Sequence, residues 1–166
     1  MGKPVTAPLG AHRLAGEFLR AALATSPIPD SEVAELRQHI SLVGFYLVAH
    51  SIELSLKAFL LGRGMPIGKL RSKPFGHNLV SLVTEARRRR LGLVVKLTPK
   101  DLLVLDLLNE CYSVKELEYA FTGARRLPRY PLAVGVASKL LKGLQPYCRK
   151  LAANNSSKPT PLRGAA

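Results

Sequence analysis

An all-helical, up-and-down bundle of four main helices plus a shorter one at the N-terminus is the fold class the sequence predicts. Three observations predict it. Leucine and alanine dominate the apolar residues, with no tryptophan and few aromatics, a balance that suits helices better than strands. Apolar residues recur with the helical period in successive stretches. Most of those stretches are bracketed by recognisable start and stop residues. No convincing strand, internal repeat or second domain is visible. The 166 residues suffice for one domain with a real core.

Residues 1–10 read as a flexible lead and 11–152 as the bundle. The first helix spans Ala11 to Ala24, with Leu14, Phe18, Ala21 and Ala22 on its apolar side, and SPIPD (26–30) breaks it. Asp30 or Ser31 then caps a long helix to about Leu61. Glu32 and Glu35 sit in its first turns, where the dipole favours them, and Gly44 is a place for a bend. Gly62, Gly64 and Pro66 end it. A third helix runs from Asn78 to Leu91, with Leu79, Leu82, Val83 and Ala86 as its stripe and Gly92 as its stop. TPKD (98–101) opens a fourth, with Thr98 as cap, Pro99 first in the helix and Asp101 at the third position. It carries Leu102, Leu105, Leu108 and Tyr112 and continues or kinks towards Phe121. TGARRLPRYP (122–131) is a loop. The last helix covers Pro131 to Ala152, weakened by Gly135 and Gly143, and Pro146 should kink it or end its regular part. ANNSSKPTPLRGAA (153–166) has the composition of a disordered basic tail.

Lys and Arg number 25 against 11 Asp and Glu, a formal charge of +14. Such a domain attracts phosphate backbones, and equally an anionic protein or membrane surface. Cys111 and Cys148, the only cysteines, fall in helical patterns and read as buried free thiols of a cytoplasmic protein. No C-x-x-C or Cys/His spacing points to a metal, and no cofactor is expected. MGKPVTAPLG lacks the apolar run of a signal peptide. The most apolar stretch, GFYLVAHSIELSLKAFLL, contains His50, Glu53 and Lys57, so neither a membrane span nor a membrane partner is expected.

At about 100° per residue, Glu32, Glu35, His39, Tyr46, His50, Glu53 and Lys57 share an arc of roughly 60° on the long helix. One reading is a water-facing edge with Glu53 and Lys57 as an i, i+4 pair. The other is a cleft or dimer seam lined by Tyr46, His50, Glu53 and Lys57. RRRR (87–90) sweeps about 300°, so it forms no flat patch, and it sits where a helix C-terminus favours cations. ARRLPRYP (124–131) places Arg125, Arg126 and Arg129 beside Tyr130 just before a helix. It reads either as a solvated loop or as an anion or RNA site with a stacking ring.

AHSIELSLKAFLLGRG (49–64), RSKPFGHNLVSLVTEARRRRLGL (71–93) and LLNECYSVKELEYAFTGARRLPRYP (107–131) together resemble the HEPN superfamily over about residues 35 to 145. The resemblance rests on H-x-x-E-x-x-x-K-A-x-L followed by a G-H-[ND]-L helix start. It implies a helical bundle, often a homodimer, that binds RNA, a nucleotide or a partner protein in prokaryotic defence, toxin–antitoxin or stress systems. Many members are ribonucleases that carry an Arg, four to six residues, then a His. Arg71 and His77 fit that spacing and are the candidate catalytic pair. Here the pair lies earlier in the chain than in those nucleases, and the region matching their usual position, ARRLPRYPLAVG, has no histidine. The alternative for His77 and Asn78 is a capping or positioning role. The resemblance therefore implies a non-catalytic binding module first, and a metal-independent endoribonuclease acting through Arg71 and His77 across a dimer as the alternative.

Overall fold

The first helix, α1 (Pro8–Thr25), places Pro8 in its opening turn, where a missing N–H costs nothing. It belongs to a computed structural model that describes residues 7–28, 30–31, 41–118 and 126–156. Its buried residues are Ala11, His12, Ala15, Leu19 and Ala22, whereas Leu14 is 43% exposed and Ala21 faces solvent. Thus Ala22 alone of the expected stripe is fully buried. Small residues win because α1 lies close on its neighbour: Ser51 Oγ donates to the Ala15 carbonyl at 2.8 Å.

That neighbour is α2 (Leu42–Gly62). Ser41 is extended, and its side chain accepts from Val43 N at 3.1 Å. The helix expected to run without a break from Asp30 or Ser31 to about Leu61 instead has a start at Leu42, where the Ser41 hydroxyl satisfies a free amide. Glu32, Glu35 and His39 lie outside the described residues. Gly44 packs rather than bends: an added Cβ would stand 2.6 Å from Ser26 Oγ. At the far end Gly64 adopts φ +80°. Met65 N donates to Leu60 O and Gly64 N to Leu61 O, the paired closure that favours glycine.

α2 is the hub, packing against α1 and each of the later long helices. By length and composition it could cross a membrane, yet 67% of its apolar window is buried within the chain. Ile52, Leu56, Phe59 and Leu60 are fully buried.

A five-residue helix, α3 (Ile67–Arg71), leads through turns, with Phe75 buried, to α4 (Leu79–Arg88). The stripe Leu79, Leu82, Val83 and Ala86 is buried as expected. α4 stops earlier than Gly92 because Arg90 takes the left-handed conformation, φ 67°. Arg88 and Arg89 donate to Glu85 at 2.7 and 2.6 Å and hold its carboxyl down at about 2. Arg89 Nη1 also donates to the Arg63 carbonyl at 3.1 Å, a cation at the end of α2 where the dipole favours it.

α5 (Pro99–Tyr112) has the reciprocal cap between Thr98 and Asp101. Lys139 adds a contact to Asp101 at 2.5 Å. α5 ends at Ser113 in a series of turns rather than continuing, and Phe121 lies outside the described residues. α6 (Tyr130–Ser156) runs through Pro146. Pro146 and Lys142 are both exposed, so water can satisfy the Lys142 carbonyl that the missing N–H leaves free. Helix thus extends past residue 152, into the segment expected to be tail. Cys111 and Cys148 are buried and not joined in a disulfide, and burial pushes the Cys148 thiol up to about 11. Among the described residues the elements are all helical.

Candidate functional site

The polar edge of α2 is turned inward. Glu53 is 2% exposed and Lys57 7%, so it is not a water-facing stripe. A helix this apolar must neutralise a buried carboxylate with donors, and three arrive from three places. Lys57, one turn on, donates to Oε1 at 2.5 Å. Tyr112, the last residue of α5, donates its hydroxyl to Oε2 at 2.5 Å. His77, at the end of the turn before α4, donates from Nδ1 to the same oxygen at 3.0 Å.

His50 completes the group. Tyr112 has one O–H and gives it to Glu53, so the 2.9 Å contact with His50 is made by the ring Nδ1–H donating to the phenolic oxygen. Tyr46 stacks on His50 with centroids 5.8 Å apart and planes 10° from parallel, and Phe18 meets it edge-on at 4.4 Å.

Burial dominates the electrostatics. It lowers the His50 pKa from the ordinary imidazole value; Glu53 opposes the shift, and His77 and Lys57 reinforce it. Burial, then the charge of Glu53 and its hydrogen bond, raise the Tyr112 hydroxyl far above the usual range. Tyr46 is also raised, by burial and then by Glu118 and Glu53. In a proton NMR titration, His50 is expected to titrate below about 6.5 and stay neutral at pH 7. The unfolded chain then binds the extra proton first, so this histidine's contribution to stability is lost as pH falls below about 6.5. A midpoint above that value would contradict the burial.

His77 differs from His50 in being half open. Its side chain is 39% exposed, and Nε2 has no protein partner among the described residues. The ring lies on a cleft of about 470 Å³ lined also by Arg71, Lys73, Gly76, Asn78 and Ser113. Arg71 ends α3 and Lys73 follows it in the turn, so the two basic residues and His77 share one wall system. The α4 cap is Asn78 alone, accepting from Ser81 N at 2.8 Å. Asn109 Oδ1 takes the next free amide, Leu79 N, at 2.7 Å. His77 is therefore a positioned side chain, not a cap.

His50, Glu53 and His77 offer ligand atoms within 4.8 Å of one another, close enough to surround a cation. Binding one would require both Nδ1 atoms to lose their protons beside the Lys57 ammonium. The hydrogen-bonded arrangement accounts for each of those atoms without an ion.

The described part of the basic loop, residues 126–131, does not join this site. Tyr130 is 1% exposed, donates to the Ala22 carbonyl at 3.1 Å and packs edge-on to Phe45. Its ring is closed to a nucleobase, so the expected stacking role is withdrawn: a tyrosine opening a helix pinned between α1 and α2 belongs to the core. Arg126 and Arg129 are exposed, and Arg125 lies outside the described residues. Sequence reasoning missed Tyr112, read as core, and Lys73. The signal for Tyr112 was Glu53 itself, since a carboxylate amid apolar residues requires a donor from elsewhere.

No family model matches the chain, and no match was found among the curated proteins or the solved structures compared with it.

Proposed function

We propose that the protein is a HEPN-like helical module that binds RNA, with a backbone phosphate held in the cleft of Arg71, Lys73 and His77. One observation carries this reading: a half-exposed histidine, anchored through Nδ1 on a buried carboxylate, lines the same cleft as two basic residues, Arg71 and Lys73. Guanidinium and ammonium groups suit a phosphate, and the net charge of +14 brings a polyanion to the surface. Arg71→Ala is expected to weaken RNA binding and to reduce the slope of log K against log salt by about 0.7, one single-strand phosphate contact. A slope unchanged by the substitution, measured by fluorescence anisotropy, would exclude Arg71 from the interface.

The same anchor favours a second reading, a metal-independent endoribonuclease. Glu53 holds Nδ1 of the imidazole, and in this reading Nε2 takes a proton from an attacking 2′-OH or returns one to the leaving oxygen, with Arg71 against the phosphate charge. His77→Ala separates the two. As a binding residue it should cost stability at the lower end of about 1.5–3 kcal/mol, because one hydrogen bond to a charged group is lost where water reaches the ring. As a catalytic acid or base it should also abolish a metal-free cleavage by roughly a hundredfold or more. Parallel melting curves and RNA turnover decide: activity in the wild type that vanishes in the variant replaces the binding reading with the nuclease.

A further inference from the structure

A second basic groove lies on another part of the bundle, between α1 and α6. It encloses about 520 Å³. Arg13 and Arg20 line it from α1, and Lys142 and Arg149 from α6. Both pairs have i, i+7 spacing, which puts each pair on one face about 10 Å apart along its helix. Two cations therefore face two cations across the furrow. All four are exposed, and no ion pair engages them among the described residues. The groove contains a single carboxylate, Glu17. Its floor is fixed: His12 is buried and its Nε2 lies 2.9 Å from the Leu141 carbonyl, tying α1 to α6. At Gly16 the absent side chain leaves the surface low, and the position a Cβ would take lies 3.7 Å from Arg20 Nη1.

We propose that this groove is a second track for RNA, taking the phosphate backbone of a single strand along the α1–α6 furrow. The inference rests on RNA being the ligand, as proposed above, but not on the cleft at Arg71. The occupant follows from charge and width. Four cations against one carboxylate complement a chain of phosphates. Packed helices about 8–10 Å apart leave a furrow for one backbone and not for a duplex. The lining includes no Phe, Tyr or Trp, and its one imidazole, His12, is buried and held on the Leu141 carbonyl, so there is no open stacking platform. Binding is therefore indifferent to base sequence and strongly salt-dependent. The sequence carried the signal in the two i, i+7 pairs, but nothing local says that the two helices lie side by side.

The test is anisotropy of a labelled oligouridylate of about twelve nucleotides, titrated with full-length protein at several salt concentrations. The combined variant Arg13→Ala, Arg20→Ala, Lys142→Ala, Arg149→Ala should reduce the slope of log K against log salt by about 3, four single-strand contacts. Glu17→Lys should steepen it and tighten binding, a gain that misfolding cannot mimic. An unchanged slope in the first variant, or weaker binding in the second, overturns the proposal. If Arg71→Ala weakens binding and the groove variants do not, the groove fails alone. If only the groove variants act, the Arg71 cleft fails and the groove stands. Capture by phosphatidylserine vesicles without any binding of the oligonucleotide overturns both.

Discussion

Glu53→Ala is expected to destabilise the fold by about 3–5 kcal/mol, the cost of removing one partner from a buried charge arrangement. That corresponds to a fall in melting midpoint of roughly 10 °C for a chain of this size. The carboxylate is 2% exposed and accepts from Lys57, Tyr112 and His77. Truncation leaves the Lys57 ammonium facing apolar side chains and two further donors without their acceptor. Adding Lys57→Met to Glu53→Ala should recover part of the loss, because the stranded charge is then gone as well. Urea denaturation of the wild type and the two variants measures this. A single-variant loss below about 1 kcal/mol would mean that water reaches the carboxylate and that the inward orientation of α2 is wrong.

Tyr112→Phe is expected to cost about 1–3 kcal/mol with no change in side-chain packing volume to blame. The hydroxyl works in both directions, donating to Glu53 at 2.5 Å and accepting from His50 at 2.9 Å. Its removal leaves the His50 N–H without its acceptor and Glu53 with one donor fewer. A double-mutant cycle with His50→Ala should show a coupling of about 0.5–3 kcal/mol, as for residues sharing one network. Additive losses would place His50 outside the network.

What was legible in the sequence was local. Thr98, Pro99 and Asp101 announced the start of α5 because a reciprocal cap needs only four consecutive residues. The α4 stripe was legible because each of its large apolar residues had one side to face. On α1, where small residues prevail, the period left two candidate faces, and close packing against α2 selected the alanines. Tyr46, His50, Glu53 and Lys57 share one edge of the helical wheel, but whether that edge met water or a cleft stayed open. It depends on Tyr112, 59 residues from Glu53, and on His77, 24 residues away, and a helical wheel carries no information about either. RSKPFGHNL separates in the same way. Asn78 caps by a rule that reads from neighbours, whereas the anchoring of His77 depends on a carboxylate in another helix.

The carboxylate at position 53 also has a bearing on how the molecule breathes. One buried oxygen, Oε2, is shared by the end of α5 and by the turn that precedes α4, while the other is shared with the next turn of α2. If any one of these segments detached, the others would be left with a charge they cannot hydrate, so partial opening brings little relief and full opening is favoured once it begins. Amides in the centre of α2, at the start of α4 and at the end of α5 should then exchange with solvent as a single cooperative unit. The first turn of α1 and the last turns of α6, beyond the His12–Leu141 tie, would be free to fray on their own, while the wall that holds His77 stays stiff.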